Sequence, residues 1–167
     1  MNEKALIKSI KESIKKDRLV WQVKNHEHFI SNTHWAVRFL SLSKDVSTTL
    51  FSIFGKFPEN DTTLVYHSKT VSESSTDIAR IMQPIEYLDG RFLPLSFNDS
   101  DRTLELRLSI NDNGDIYAIQ SKYADIFEGE PMQITNGMTR FESGVCMQVR
   151  AKTGNTWNGV IREHLMF

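Results

Sequence analysis

Three histidines, His26, His28 and His34, are the densest group of metal-type ligands in the chain, with Glu27 between the first two. On a β-strand, His-x-His sets both rings on one face, as a divalent cation requires, and a hairpin would bring His34 back towards them. The competing reading is surface histidines beside a turn. His67 and His164 are isolated and complete no ligand set, so no metal or other cofactor is assigned. Two runs, Asn98–Asp101 and Asn111–Asp115, carry the oxygens that calcium loops use. Neither has the spacing of an EF-hand with its closing glutamate, and between strong strand patterns Asn, Asp and Gly are ordinary turn residues. The single cysteine, Cys146, excludes an intrachain disulfide and a cysteine-based zinc site, and its mid-strand position suits a small apolar side chain. No Gly-x-Ser-x-Gly elbow, Walker motif or Gly-x-Gly-x-x-Gly loop is present. No catalytic residue is assigned, and the chain is read as non-enzymatic.

A different chemistry is offered by Lys4, Lys8, Lys11 and Lys15, spaced i, i+4, i+7, i+11. At 100° per residue a helix gathers them within about 60°. Such a row of ammonium groups can lie against a phosphate backbone and release its counterions. A solvated helix face is the competing reading, and Glu3 and Glu12 dilute the row. Trp157, in the 153–157 loop, and Phe167 are candidates for a partner-binding surface, with burial of Trp157 as the alternative.

The elements that must position these groups follow from periodicity. Leu6, Ile7, Ile10 and Ile14 predict a helix over 3–16 with a buried stripe. Short strands are expected over 19–23, 28–32, 33–39 and 63–68, with Trp35, Val37 and Phe39 on one side and His34, Ala36 and Arg38 on the other. Ser43 caps a helix through Phe54 with Val46, Leu50, Ile53 and Phe54 inward, stopped by Gly55 and Pro58. Residues 69–75 read as a polar loop and 77–82 as a short helical turn. In the second half, Asp89-Gly90 predicts a hairpin turn between 85–88 and 91–97. The run 102–110 is the clearest strand, turned back at Asn113-Gly114 into 115–121. A helical turn at 123–127, a turn at Asn136-Gly137, a strand alternating through 145–150 and a last strand after Asn158-Gly159 complete the pattern. The expected architecture is α+β: one antiparallel, β-rich domain over 1–167 with an N-terminal amphipathic helix and one or two further short helices.

With 167 residues, 40% of them hydrophobic and 25% charged, the chain can bury a core without cross-links. A net charge of −1 excludes a wholly basic nucleic-acid binder but not a basic patch. No membrane span or signal peptide is expected, so the location is read as cytoplasmic.

The helix over 5–15 with its apolar stripe and lysine row, the short antiparallel strands after it and the closing segment Trp157-Asn158-Gly159-Val160-Ile161-Arg162 together resemble the DNA sliding-clamp fold, in a short form such as a bacteriophage carries. Ring clamps contain six domains, so the resemblance implies a homo-oligomer. It also places Lys4, Lys8, Lys11 and Lys15 against DNA without reading sequence. The function expected is therefore a clamp-like accessory protein with non-specific DNA contact. The alternatives are a protein-binding module, such as a phage product that occupies a host protein, and, third, a metal-dependent enzyme using the three histidines.

Overall fold

The computed structural model describes residues 1–146 apart from 33, 81, 83–87, 100–103, 136–137 and 143. Trp157 and Phe167, the closing strand after Asn158-Gly159 and the 147–150 part of the 145–150 strand lie outside the described residues. The fold is α+β and β-rich with an N-terminal helix, as the periodicity predicts. By its contacts the chain divides into two compact units, residues 2–84 and residues 85 onward.

The first unit opens with α1 (Glu3–Lys15). The Asn2 side chain caps it by accepting from the Ala5 amide at 3.2 Å, with Glu3 in the first turn and Lys15 in the last, each suited to the helix dipole. Its buried residues are Leu6, Ser9, Ile10 and Ser13; Ile7 and Ile14, expected inward, are only partly covered. The helix is rolled towards its serines. Ser13 Oγ donates to the Ser9 carbonyl and accepts from Asn32 Nδ2, both at 2.7 Å, which ties this face to the chain leading into the third strand.

Five strands follow: β1 (Arg18–Lys24), β2 (Glu27–Ser31), β3 (Trp35–Phe39), β4 (Thr62–His67) and β5 (Thr70–Glu73). They are antiparallel in the order β5-β4-β1-β2-β3. Between β3 and β4 lies α2 (Lys44–Phe54). Ser43 Oγ accepts from the Val46 amide, and Gly55, at φ 71°, donates to the Phe51 carbonyl in the left-handed conformation that ends a helix. Val46, Leu50 and Phe54 are buried, while Ile53 is partly covered.

The sheet is covered on both faces. On one, Trp21 packs its ring on Phe54 of α2. On the other, Val20, Phe29 and Ala36 cluster with Ile78. Ala36, expected to face outward, is therefore fully buried, and β1 is buried at five consecutive positions. Residues 76–79 are strapped across this second face by Gln22. Its Nε2 donates to Asp77 Oδ1 at 3.3 Å and its Oε1 accepts from the Ala79 amide at 2.9 Å. Within the stretch expected as a short helical turn, the Met82 amide donates to the Ala79 carbonyl at 3.1 Å.

The loop expected over 69–75 is in fact strand β5. The β4–β5 connection is Ser68-Lys69, both with positive φ (50° and 59°), the two-residue type I′ geometry that matches strand twist. Neither residue is the Gly or Asn that announces such a turn. Asp17 Oδ1 instead fixes it from outside, accepting from the Lys69 amide at 3.1 Å. This backbone bond is the main reason the Asp17 carboxyl lies below its usual pKa.

The second unit contains β6 (Leu88–Asp99), β7 (Leu104–Asn111), β8 (Ile116–Gln120), α3 (Ser121–Ala124), a 3-10 turn (Asp125–Phe127), β9 (Met132–Thr135), β10 (Met138–Phe141) and β11 (Gly144–Cys146). The antiparallel order is β11-β10-β9-β6-β7-β8. Asp89-Gly90 is not a turn. Both residues lie inside β6, paired with β9 on one side while Gly90 pairs Asn111 of β7 on the other. Glycine is needed there for space: a Cβ on Gly90 would stand 2.6 Å from Ile134 Cδ1 and 3.1 Å from the Ile110 carbonyl. Pro94, which cannot donate to a ladder, falls where the β6–β7 register shifts between Phe92 and Ser96. Leu106, Leu108 and Ala118 form one cluster, with Leu93 and Ile116 against it. Elsewhere in this unit Phe141 stacks on Phe127, with centroids 4.2 Å apart and planes 3° from parallel.

Candidate nucleic-acid interface

Lys4, Lys8, Lys11 and Lys15 are all exposed on α1. By helical geometry the row is centred about 180° from the Leu6–Ser9–Ile10–Ser13 face, so it points directly away from the core of residues 2–84. It spans about 16 Å at 1.5 Å per residue. Among the described residues, none of the four is in an ion pair. Lys16 and Arg18 continue the exposed positive charge past the helix end. The charge is also segregated along the chain. Residues 2–84 hold 12 Lys and Arg against 9 Asp and Glu, a net +3, whereas residues 85–167 hold 8 against 12, a net −4.

The histidines do not converge. His26 is not on a strand with His28; with Asn25 it forms the β1–β2 turn, at φ 64° and 52°. Asn60 Oδ1 accepts from the His26 amide at 2.8 Å, and Asp61 Oδ1 from the Asn25 amide at 3.4 Å. His28 lies on β2, where its Nδ1 accepts from Trp21 Nε1 at 3.3 Å, and His34 sits just before β3. No group of three or more His, Cys, Asp or Glu among the described residues could hold a metal ion. The Asn111–Asp115 run is the β7–β8 turn. Asn111 Oδ1 accepts from the Asn113 and Asp115 amides, and Gly114 adopts φ 87°.

Burial holds the His28 imidazole below its ordinary pKa. Because the folded state disfavours its protonation, an unfolded chain takes up a proton near pH 6.5 that the native chain refuses. Stability is therefore expected to be full above that pH and to fall as pH drops through it towards the lower native value. Protonation would also cost Nδ1 its acceptor role towards Trp21. Urea midpoints measured from pH 8 to 5 should show this decline, and His28→Phe should flatten it; an unchanged slope in the variant would assign the effect elsewhere.

The second unit offers a groove of about 620 Å³, in which Asp89, Gln133 and Arg140 face each other across β6, β9 and β10. Gln133 Nε2 donates to Asp89 Oδ1 at 2.9 Å. Its mixture of charges selects no ligand class. Cys146 ends β11, its backbone opposite Thr139.

Sequence patterns missed a second exposed group, Phe51 and Phe57, which are 47% and 51% exposed. The available signal was angular: Phe51 falls about 100° off the Val46–Leu50–Phe54 stripe. No helix among the described residues is long and apolar enough to cross a membrane. Comparison with known proteins finds no matching family model, and no match among curated proteins or solved structures.

Proposed function

We propose that the chain is a non-enzymatic accessory protein that contacts nucleic acid through its phosphate backbone, with the exposed α1 row as the contact surface. The observation that carries this reading is the orientation of Lys4, Lys8, Lys11 and Lys15: one line of charge, aimed at solvent and not neutralised by ion pairs among the described residues. The net +3 of residues 2–84 supports it. Contact of this kind reads charge spacing and not bases, so it is sequence-independent. A cytoplasmic location belongs to the same proposal, supported by the single cysteine.

Salt provides the test. Neutralising four phosphates of a duplex gives log affinity a slope of about −3.6 against log salt, so raising salt from about 50 to about 200 mM should weaken binding roughly 150-fold. Fluorescence anisotropy with two unrelated duplexes should return this slope for both; a flat salt response would dismiss the reading. The sliding-clamp form of the proposal adds self-association, which brings several α1 rows around one duplex. Sedimentation velocity at two salt concentrations tests that part: a closed oligomer supports a ring, and a monomer removes it.

A further inference from the structure

Phe51 of α2 and Phe57 of the following loop set their rings 5.4 Å apart with planes 32° from parallel, and each ring is about half exposed. They are held firmly. Phe57 meets the edge of Trp21 at 5.2 Å, and Trp21 is fully buried against Phe54. This is a fixed aromatic ledge with open π-surface rather than a pair of loose side chains.

The surroundings of the ledge say what covers it. Lys44 is exposed and lies about 20° from Phe51 around α2, on the same side, whereas the nearby Asp45 lies about 120° away. Lys56, beside Phe57, spends its charge on Glu73 at 2.9 Å. The start of α2 is joined to the start of α1 by Ser43 Oγ donating to Glu3 Oε2 at 2.9 Å. Lys4 follows Glu3 and Lys44 follows Ser43, so this junction brings the first lysine of the row and the first residue of α2 near one another. Positive charge leading onto exposed aromatic rings is the pairing of features that single-stranded nucleic acids require: cations for the phosphates, π-faces for unstacked bases.

Resting on the reading of α1 given above, we propose that Phe51 and Phe57 are a stacking platform for the bases of a single-stranded nucleic acid whose phosphates run along Lys4, Lys8, Lys11, Lys15 and Lys44. The preferred ligand is then single-stranded, and the duplex uses the lysines alone.

Anisotropy titrations with labelled oligothymidylate, an abasic strand of equal length and a duplex test this. Oligothymidylate should bind the native protein about tenfold or more tightly than the abasic strand, the range expected for stacked bases. The double variant Phe51→Leu, Phe57→Leu keeps apolar volume but removes the π-faces. It should bring oligothymidylate to the abasic level, leave duplex binding unchanged and keep the native melting curve. If that variant melts early, the abasic comparison on the native protein decides alone. Equal affinity of native protein for the two strands, or a folded leucine variant that keeps the preference, overturns the platform. Salt-dependent binding with no base preference removes the platform and leaves the α1 reading standing; failure to bind any of the three removes both.

Discussion

With Lys4, Lys8, Lys11 and Lys15 all changed to glutamate, duplex binding at low salt is expected to fall by more than about 100-fold, because the release of four counterions is lost and four repulsions replace it. Residues 2–84 would pass from a net +3 to −5, each substitution subtracting two charges. The fold should survive. All four side chains are exposed, and substitutions at such positions usually move stability by no more than about 0.5 kcal/mol each. Lys15 is the exception to watch, since a glutamate in the last turn opposes the helix dipole by about 0.3–1 kcal/mol. A parallel set with glutamine, a comparable helix former, removes charge without reversing it and should bring the salt slope close to zero. If the glutamate variant retains native affinity while its circular dichroism is unchanged, α1 is not the contact surface.

The second large effect concerns Gly90. Gly90→Ala should cost about 1–3 kcal/mol, the range for forcing a methyl into a packed core. Its Cβ would meet Ile134 at 2.6 and 2.8 Å, and Ile134 is itself fully buried on a strand paired on both sides. Ile134→Ala alone should cost about 2–5 kcal/mol as a cavity. The two should not add. Shortening Ile134 removes the atoms that obstruct the new methyl, so Gly90→Ala in that background should be close to neutral. The expected coupling is of order 1–3 kcal/mol from urea unfolding of the four proteins. Additive costs would mean that the Ile110 carbonyl, 3.1 Å away, is the true obstacle.

Gly90 also shows where sequence patterns end. Asp-Gly between apolar runs is a strong hairpin signal, but glycine serves close packing as well as turning, and only the partner strands decide which. Both caps of α2, its buried stripe apart from Ile53, the lysine row and the Asn113-Gly114 turn were legible, because each depends on neighbours within a few residues. β5 was not, because its turn residues Ser68 and Lys69 carry no local signature and are held by Asp17, far back in the chain. His26 was misplaced for the same reason: its turn is held by Asn60 and Asp61. β9 was not anticipated either; its four residues pair with β10, and Met132–Ile134 also pair with β6, more than 40 residues earlier. Of the candidate surface, the lysines could be read from spacing. The aromatic ledge could not, since it needs Phe57 folded back on Trp21 across a helix.

The two tight turns of the first sheet, Asn25-His26 and Ser68-Lys69, bear on the order in which the chain assembles. Three of the four residues, His26, Ser68 and Lys69, are neither glycine nor asparagine, and the left-handed conformation costs each roughly 1–2 kcal/mol, whereas Asn25 adopts it more readily. Neither hairpin has the Asn-Gly pair that closes such a turn most readily. The groups that hold them shut come from 34–36 residues later for the first and 52 residues earlier for the second. The tips should therefore be unformed in the folding transition state and close only as the distant segments dock. Substitutions there would speed unfolding and leave the folding rate nearly unchanged. All six non-glycine residues with positive φ among the described residues lie in residues 2–84, so the unit that presents the charged helix is also the one whose tight turns depend on segments distant in the chain.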